Sequence, residues 1–121
     1  MKVKKVKVGI KDINTALAEF ADAGERLEQG KLVHKENGVY FTSFEAFRKA
    51  LTPKRLELLH AIKTGKPSSL SHLARIVKRD IKNVAVDVDY LAQIGLIEKK
   101  EKQKEVIPVV TYDQISLDIA I

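Results

Sequence analysis

The chain of 121 residues contains no cysteine. A disulfide framework, a thiolate metal site and a cysteine nucleophile are all excluded, which fits a reducing compartment. No apolar run approaches the ~20 residues that a bilayer-spanning helix needs. The early lysines are not followed by an apolar segment of signal-peptide length. The expectation is a cytoplasmic protein without membrane contact. The histidines His34, His60 and His72 stand apart, with neither HxxxH nor HxH spacing, so neither a metal nor another cofactor is expected. The carboxylates are scattered over helix caps and surface positions. No nucleophile, metal cluster or convergent pair of carboxylates appears at a recognisable spacing, so the chain does not read as an enzyme.

What is present is an ordinary apolar fraction of 45% and a net charge of +6, with a sequence pI near 9.5. The length fits one small domain with extensions. The charge is uneven: residues 53–105 hold 12 basic and 7 acidic side chains, whereas residues 106–121 hold no basic and 2 acidic ones. A basic excess in one part of a chain fits a nucleic-acid partner, and taken alone it fits a soluble basic protein equally well.

That part is also the best patterned. Thr52 before Pro53 is a strong helix start, because the hydroxyl can cap and proline loses nothing at the first helical position. Leu56, Leu59 and Ile62 recur every three residues, with Leu58 beside them, and Gly65 with Pro67 ends the segment. Ser68 and Ser69 offer the next cap. Leu70, Leu73, Ala74 and Val77 then follow the i, i+3, i+4, i+7 spacing of an amphipathic helix. After about three residues Asp80 can cap a third helix over residues 81–94, with Ile81, Val84, Val88, Leu91 and Ala92 as its apolar stripe. Two amphipathic helices at this separation have helix-turn-helix spacing. Gly95 then turns the chain into Leu96 and Ile97, the start of a strand. Residues 96–112 have apolar ends and a charged middle bearing Lys99, Lys100, Lys102 and Lys104, as the two strands and basic tip of a wing would.

The stretches LTPKRLELLHAI, SHLARIVKRDIKNVAVDVDYLAQIGLIE and PVVTYDQISLDI together resemble a group of small prokaryotic predicted transcriptional regulators. These are winged helix-turn-helix proteins of MarR-like architecture, and some are antitoxins of toxin–antitoxin pairs. The resemblance covers roughly the last two thirds of the chain well and the first third loosely. It implies DNA binding through the helix that contains Asn83 and through a basic wing, and for an antitoxin it implies a cognate toxin as partner. The chain departs from the pattern at Ala85 and Val86, where relatives often carry His and Arg. Ala and Val can touch a thymine methyl but cannot hydrogen-bond a base edge.

The flanking segments read as apparatus for pairing two copies. Val6, Val8 and Ile10 alternate with Lys5, Lys7 and Gly9, a strand with one buried and one basic face. Residues 12–30 read as a helix capped by Asp12 or Asn14 and closed by Gly30, a candidate dimer interface. Asn37-Gly38 is a hairpin turn signal, with Leu32-Val33 before it and Val39-Tyr40-Phe41 after it. Thr42 with Glu45 forms a capping box for a helix bearing Phe44, Phe47 and Leu51. Ile115, Leu117, Ile119 and Ile121 alternate with polar or small residues in a last strand, whose expected partner is the first strand, within one chain or between two.

The fold expected is therefore α+β: a winged helix-turn-helix over residues 51–112, a strand and helix extension over residues 1–50, and a strand over residues 113–121. The function expected is a homodimeric, sequence-specific regulator of double-stranded DNA, autoregulating if it is an antitoxin. Its candidate DNA contacts are Ser71, Arg75, Lys78, Arg79, Lys82, Asn83 and Val86 around the recognition helix, and Lys99, Lys100, Lys102 and Lys104 in the wing. Asn83 has the amide for a bidentate contact to adenine. Asp87 is expected to turn away from DNA. The alternative is a winged-helix module that binds only protein.

Overall fold

The computed structural model describes residues 3–11, 14 and 38–121. In chain order these form β1 (Lys5–Ile10), β2 (Gly38–Phe41), α1 (Phe44–Ala50), α2 (Pro53–Gly65), α3 (Leu70–Val77), α4 (Ile81–Gln93), β3 (Glu98–Lys102), β4 (Glu105–Val109) and β5 (Gln114–Ile119). The described residues thus make an α+β chain with four helices and two sheets. The helix expected over residues 12–30, His34 and the first arm of the expected hairpin lie outside them. The chain divides into two compact units, residues 1–49 with 112–121, and residues 50–111.

The first unit is built on a three-stranded sheet in the order β2-β1-β5. Both pairings of β1 are parallel, with Val8 opposite Val39 on one side and Leu117 on the other. The first and last strands therefore pair within one chain. Side chains alternate across a sheet, so Val6, Val8, Ile10, Val39, Phe41, Ile115, Leu117 and Ile119 share one face. The opposite face carries Lys5, Lys7, Tyr40 and Asp118. Gly9 sits beside Tyr40 in register, and a Cβ there would come within 2.5 Å of the tyrosine ring. The absent side chain is what lets the ring lie flat against β1. In α1 the cap is Ser43, whose hydroxyl accepts from Ala46 N–H at 3.1 Å. The expected cap at Thr42 is displaced by one residue.

In the second unit the caps fall where the sequence places them. The Thr52 hydroxyl accepts from Arg55 N–H, the Ser69 hydroxyl from His72 N–H, and the Asp80 carboxylate from Lys82 N–H at 2.7 Å. The buried side of α2 differs from the expected one. Leu58, Leu59, Ala61 and Ile62 are buried, and Leu56 is exposed. A strict three-residue repeat drifts by about 60° per step around a helix, so Leu56 falls off the stripe that Leu58, Ala61 and Ile62 complete. In α4 Val84, Val88 and Leu91 are buried, whereas Ile81 in the first turn is exposed.

Two helices end in left-handed lysines. Lys66 caps α2 at φ 43° and Lys78 caps α3 at φ 56°. After α4 the left-handed residue is Gly95, at φ 90°, and Leu96 and Ile97 beyond it are buried. β3 and β4 form an antiparallel ribbon closed by Gln103 and Lys104, both at positive φ. Such a two-residue turn closes on a hydrogen-bonded pair, Lys102 with Glu105, and pairs alternate from there. The pair of Lys99 with Pro108 then falls at a position where neither nitrogen points at the partner strand. Pro108 costs the ribbon no hydrogen bond and is fully buried. None of the described helices is long and apolar enough to cross a membrane.

Candidate nucleic-acid interface

The turn between α3 and α4 is three residues long: Lys78, Arg79 and Asp80. Lys78 supplies the left-handed conformation, and its N–H bonds back to carbonyls at the end of α3. Asp80 caps α4. An open depression of about 470 Å³ lies here, lined by Ser71, Ala74, Arg75, Lys78, Arg79 and Ile81. Four of the candidate contacts, Ser71, Arg75, Lys78 and Arg79, thus come together in one concavity. Ser71, Arg75 and Lys78 are exposed.

Arg79 is placed differently from the other three. Its Nη2 donates to Asp87 Oδ2 at 2.8 Å, and the other carboxylate oxygen accepts from Arg55 Nε at 3.1 Å. The three side chains are only 20%, 15% and 18% exposed for Arg79, Asp87 and Arg55. Arg55 also donates to the Ala50 carbonyl at 3.0 Å and lies over the Tyr90 ring, 4.2 Å from its centre. Arg79 Nη1 is buried without a hydrogen-bond partner among the described residues. Burial pushes the Asp87 carboxyl up, but the hydrogen bonds and charges of Arg79 and Arg55 outweigh it and hold the group below the ordinary value of 3.8. Arg79 is therefore a structural cation that joins the turn to α4 rather than one presented to solvent. Asp87 turns inward toward the two arginines.

The outward face of α4 carries Lys82, Asn83, Val86 and Asp89, all exposed and spaced three, four and seven residues apart. Val86 is 62% exposed, the largest value for an apolar side chain in α4. Asp89 on the same face is bonded by Lys99 of β3. That contact offsets the acidic charge on this face, and Lys99 stays exposed while making it. Lys100, Lys102 and Lys104 are exposed along the ribbon and its turn. Glu98, Glu101 and Glu105 are exposed between them.

Sequence reasoning missed the Arg55–Asp87–Arg79 cluster. Arg79 and Asp87 are eight residues apart, and Arg55 is 32 residues from Asp87, so no local spacing announces them. It also missed the exposure of Ile81, which its periodicity assigned to the core. Among the described residues no three of His, Cys, Asp and Glu gather as a metal site.

These elements, a helix pair with a three-residue turn, a capped helix with an open polar face and a lysine-bearing ribbon, lie within a family-wide segment. The chain belongs to the HVO_A0114 family, whose model matches residues 50–117. No curated protein matches the chain, and no solved structure does.

Proposed function

We propose that the protein is a sequence-specific regulator that binds double-stranded DNA through a MarR-like winged helix-turn-helix in residues 50–111. In this reading α3 and α4 are the helix-turn-helix, α4 is the recognition helix, and β3 with β4 is the wing. The observation that carries it is the outward face of α4. It joins Lys82, Asn83 and Val86 beside a depression bordered by Arg75 and Lys78, while the arginines next to it are held by Asp87. Exposed lysines and arginines on that side position the duplex through phosphates, and side chains of α4 reach base edges.

The homodimer belongs to the same reading. β5 is an edge strand with no partner on its outer side among the described residues. Leu117 and Ile119 on it are 41% and 52% exposed. Antiparallel pairing of two β5 strands about a two-fold axis closes that edge, sets these side chains beside those of the other copy, and gives two copies of α4 for two half-sites. Leu117→Lys with Ile119→Lys is expected to yield a monomer in sedimentation, and an unchanged mass would remove β5 from the interface. A protein-only module is the second reading, favoured by the apolar exposure of Val86 and Ile81. Titration of the full chain with a duplex from its own upstream region, against random duplex, separates the two. Preference for the upstream duplex near physiological salt supports the regulator, and no binding to either supports the module.

A further inference from the structure

Base edges differ in what they accept from a helix. Guanine takes a bidentate Arg or Lys, and cytosine offers its amino group to a carboxylate. Adenine takes a bidentate Asn or Gln, and thymine offers a methyl to apolar side chains. Around α4 the arginine and the carboxylate that could read a G·C pair each have an ionic partner, which leaves Lys82 as the one open guanine reader in the first two turns, whereas the A·T readers there are open. The arginine beside its start, Arg79, is committed to Asp87 at 2.8 Å, and Arg55 closes the other carboxylate oxygen. The exposed carboxylate on the outward face, Asp89, is bonded to Lys99. What remains in the first two turns is the Asn83 amide, the exposed side chains of Val86 and Ile81, and Lys82. Lys82 follows the Asp80 cap in the first turn of α4, where its own N–H is held by the Asp80 carboxylate and its exposed ammonium is the group that meets a phosphate.

We infer that the DNA this face selects is A·T-rich, with adenine read by Asn83 and a thymine methyl packed on Val86. The inference rests on the DNA-binding reading and names its target class. Asn83 and Val86 are three residues apart on one face, about 4.5 Å along the helix axis. Base pairs rise about 3.4 Å, so the two side chains meet neighbouring pairs rather than the same one. Arg75 lies on α3, across the depression, where a helix-turn-helix meets the DNA backbone.

The test is selection of duplexes from a random pool by the full chain near physiological salt. Chemical substitution within the enriched duplex follows. The expected enrichment is a core of neighbouring A·T pairs. Replacing its thymines by deoxyuridine, which removes only the methyl, is expected to weaken binding about five-fold or more at one position. Replacing adenine by 7-deazaadenine, which removes the N7 acceptor, is expected to do the same at the neighbouring position. Val86→Ala should abolish the deoxyuridine penalty and Asn83→Ala the deaza penalty, with both variants keeping their circular dichroism. Enrichment of a guanine-centred core would overturn the inference while leaving DNA binding in place. So would penalties that persist in the folded variants. Absence of binding to any duplex would overturn the DNA reading itself, and the inference with it.

Discussion

Opposite charges meet in both units of the molecule, but under different conditions. In the sheet unit Lys7 and Asp118 approach to 3.0 Å with side chains 58% and 59% exposed. In the helical unit Asp87 lies between Arg55 and Arg79 with only 15% of its side chain exposed. The surface pair gives up little hydration and gains little, typically under about 1 kcal/mol. The inner cluster has left water, so removing one member strands the others in a place where a lone charge is costly. The difference shows that a carboxylate's sequence neighbourhood says less about its role than the depth at which it sits. Asp87 and Asp89 are two residues apart on one helix, and one organises the interior while the other faces solvent.

The largest expected effect tests that contrast. Asp87→Ala leaves Arg55 and Arg79 facing each other without an anion and should cost about 2–4 kcal/mol in chemical denaturation. Asp118→Ala should stay within about 0.5 kcal/mol of the parent. Equal losses would erase the distinction between the units. The same cluster sets a pH dependence. The folded-state value of Asp87 is lowered, so the unfolded chain takes up its proton first as acid is added. The stabilisation is fully present above the ordinary value of 3.8 and is lost as pH falls through the folded value. Asp87→Asn should therefore flatten the acid limb of the stability curve below about pH 4, measured against the parent over the same range.

Next in size is a steric test of the sheet unit. Gly9→Ala places a Cβ within 2.5 Å of the Tyr40 ring and is expected to destabilise by about 1–3 kcal/mol. In a Tyr40→Ala background the same change should cost much less, because the obstructing ring is gone. A full cost in that background would show that Gly9 is needed for another reason.

A smaller effect has opposite signs for stability and binding. Lys78→Gly relieves a left-handed side chain at the end of α3 and should raise stability by about 0.5–1 kcal/mol. It also removes a cation from the depression and should weaken duplex binding. A stabilised variant with unchanged affinity would take Lys78 out of the interface.

The helical unit was the more legible of the two because its determinants are short-range. Thr52, Ser69 and Asp80 each cap the helix that their spacing announced, and Gly95 sits at the left-handed position before Leu96. The left-handed lysines were not legible, since lysine gives no cue to positive φ. Nor was the contact of Arg55 with Asp87, which depends on packing α2 against α4. In the sheet unit the alternation of β1 and β5 placed their faces correctly. Their parallel register could not be read, because it joins Val8 to Leu117 across more than a hundred residues. At the candidate interface Asn83, Lys82 and Val86 were visible as an outward face, whereas the partnerships of Arg79 with Asp87 and of Lys99 with Asp89 were not, since no local spacing announces them.

The most direct test of the account counts cations. Binding of the full chain to its preferred duplex would be measured over a salt series, for the parent and for single alanine variants. Lys82→Ala, Lys100→Ala and Lys102→Ala should each lower the salt slope by about one, and Lys7→Ala in the sheet unit should leave it unchanged. If the helical-unit variants keep the parent slope, or if only Lys7→Ala lowers it, the DNA face is not the one formed by α4 and the β3–β4 ribbon.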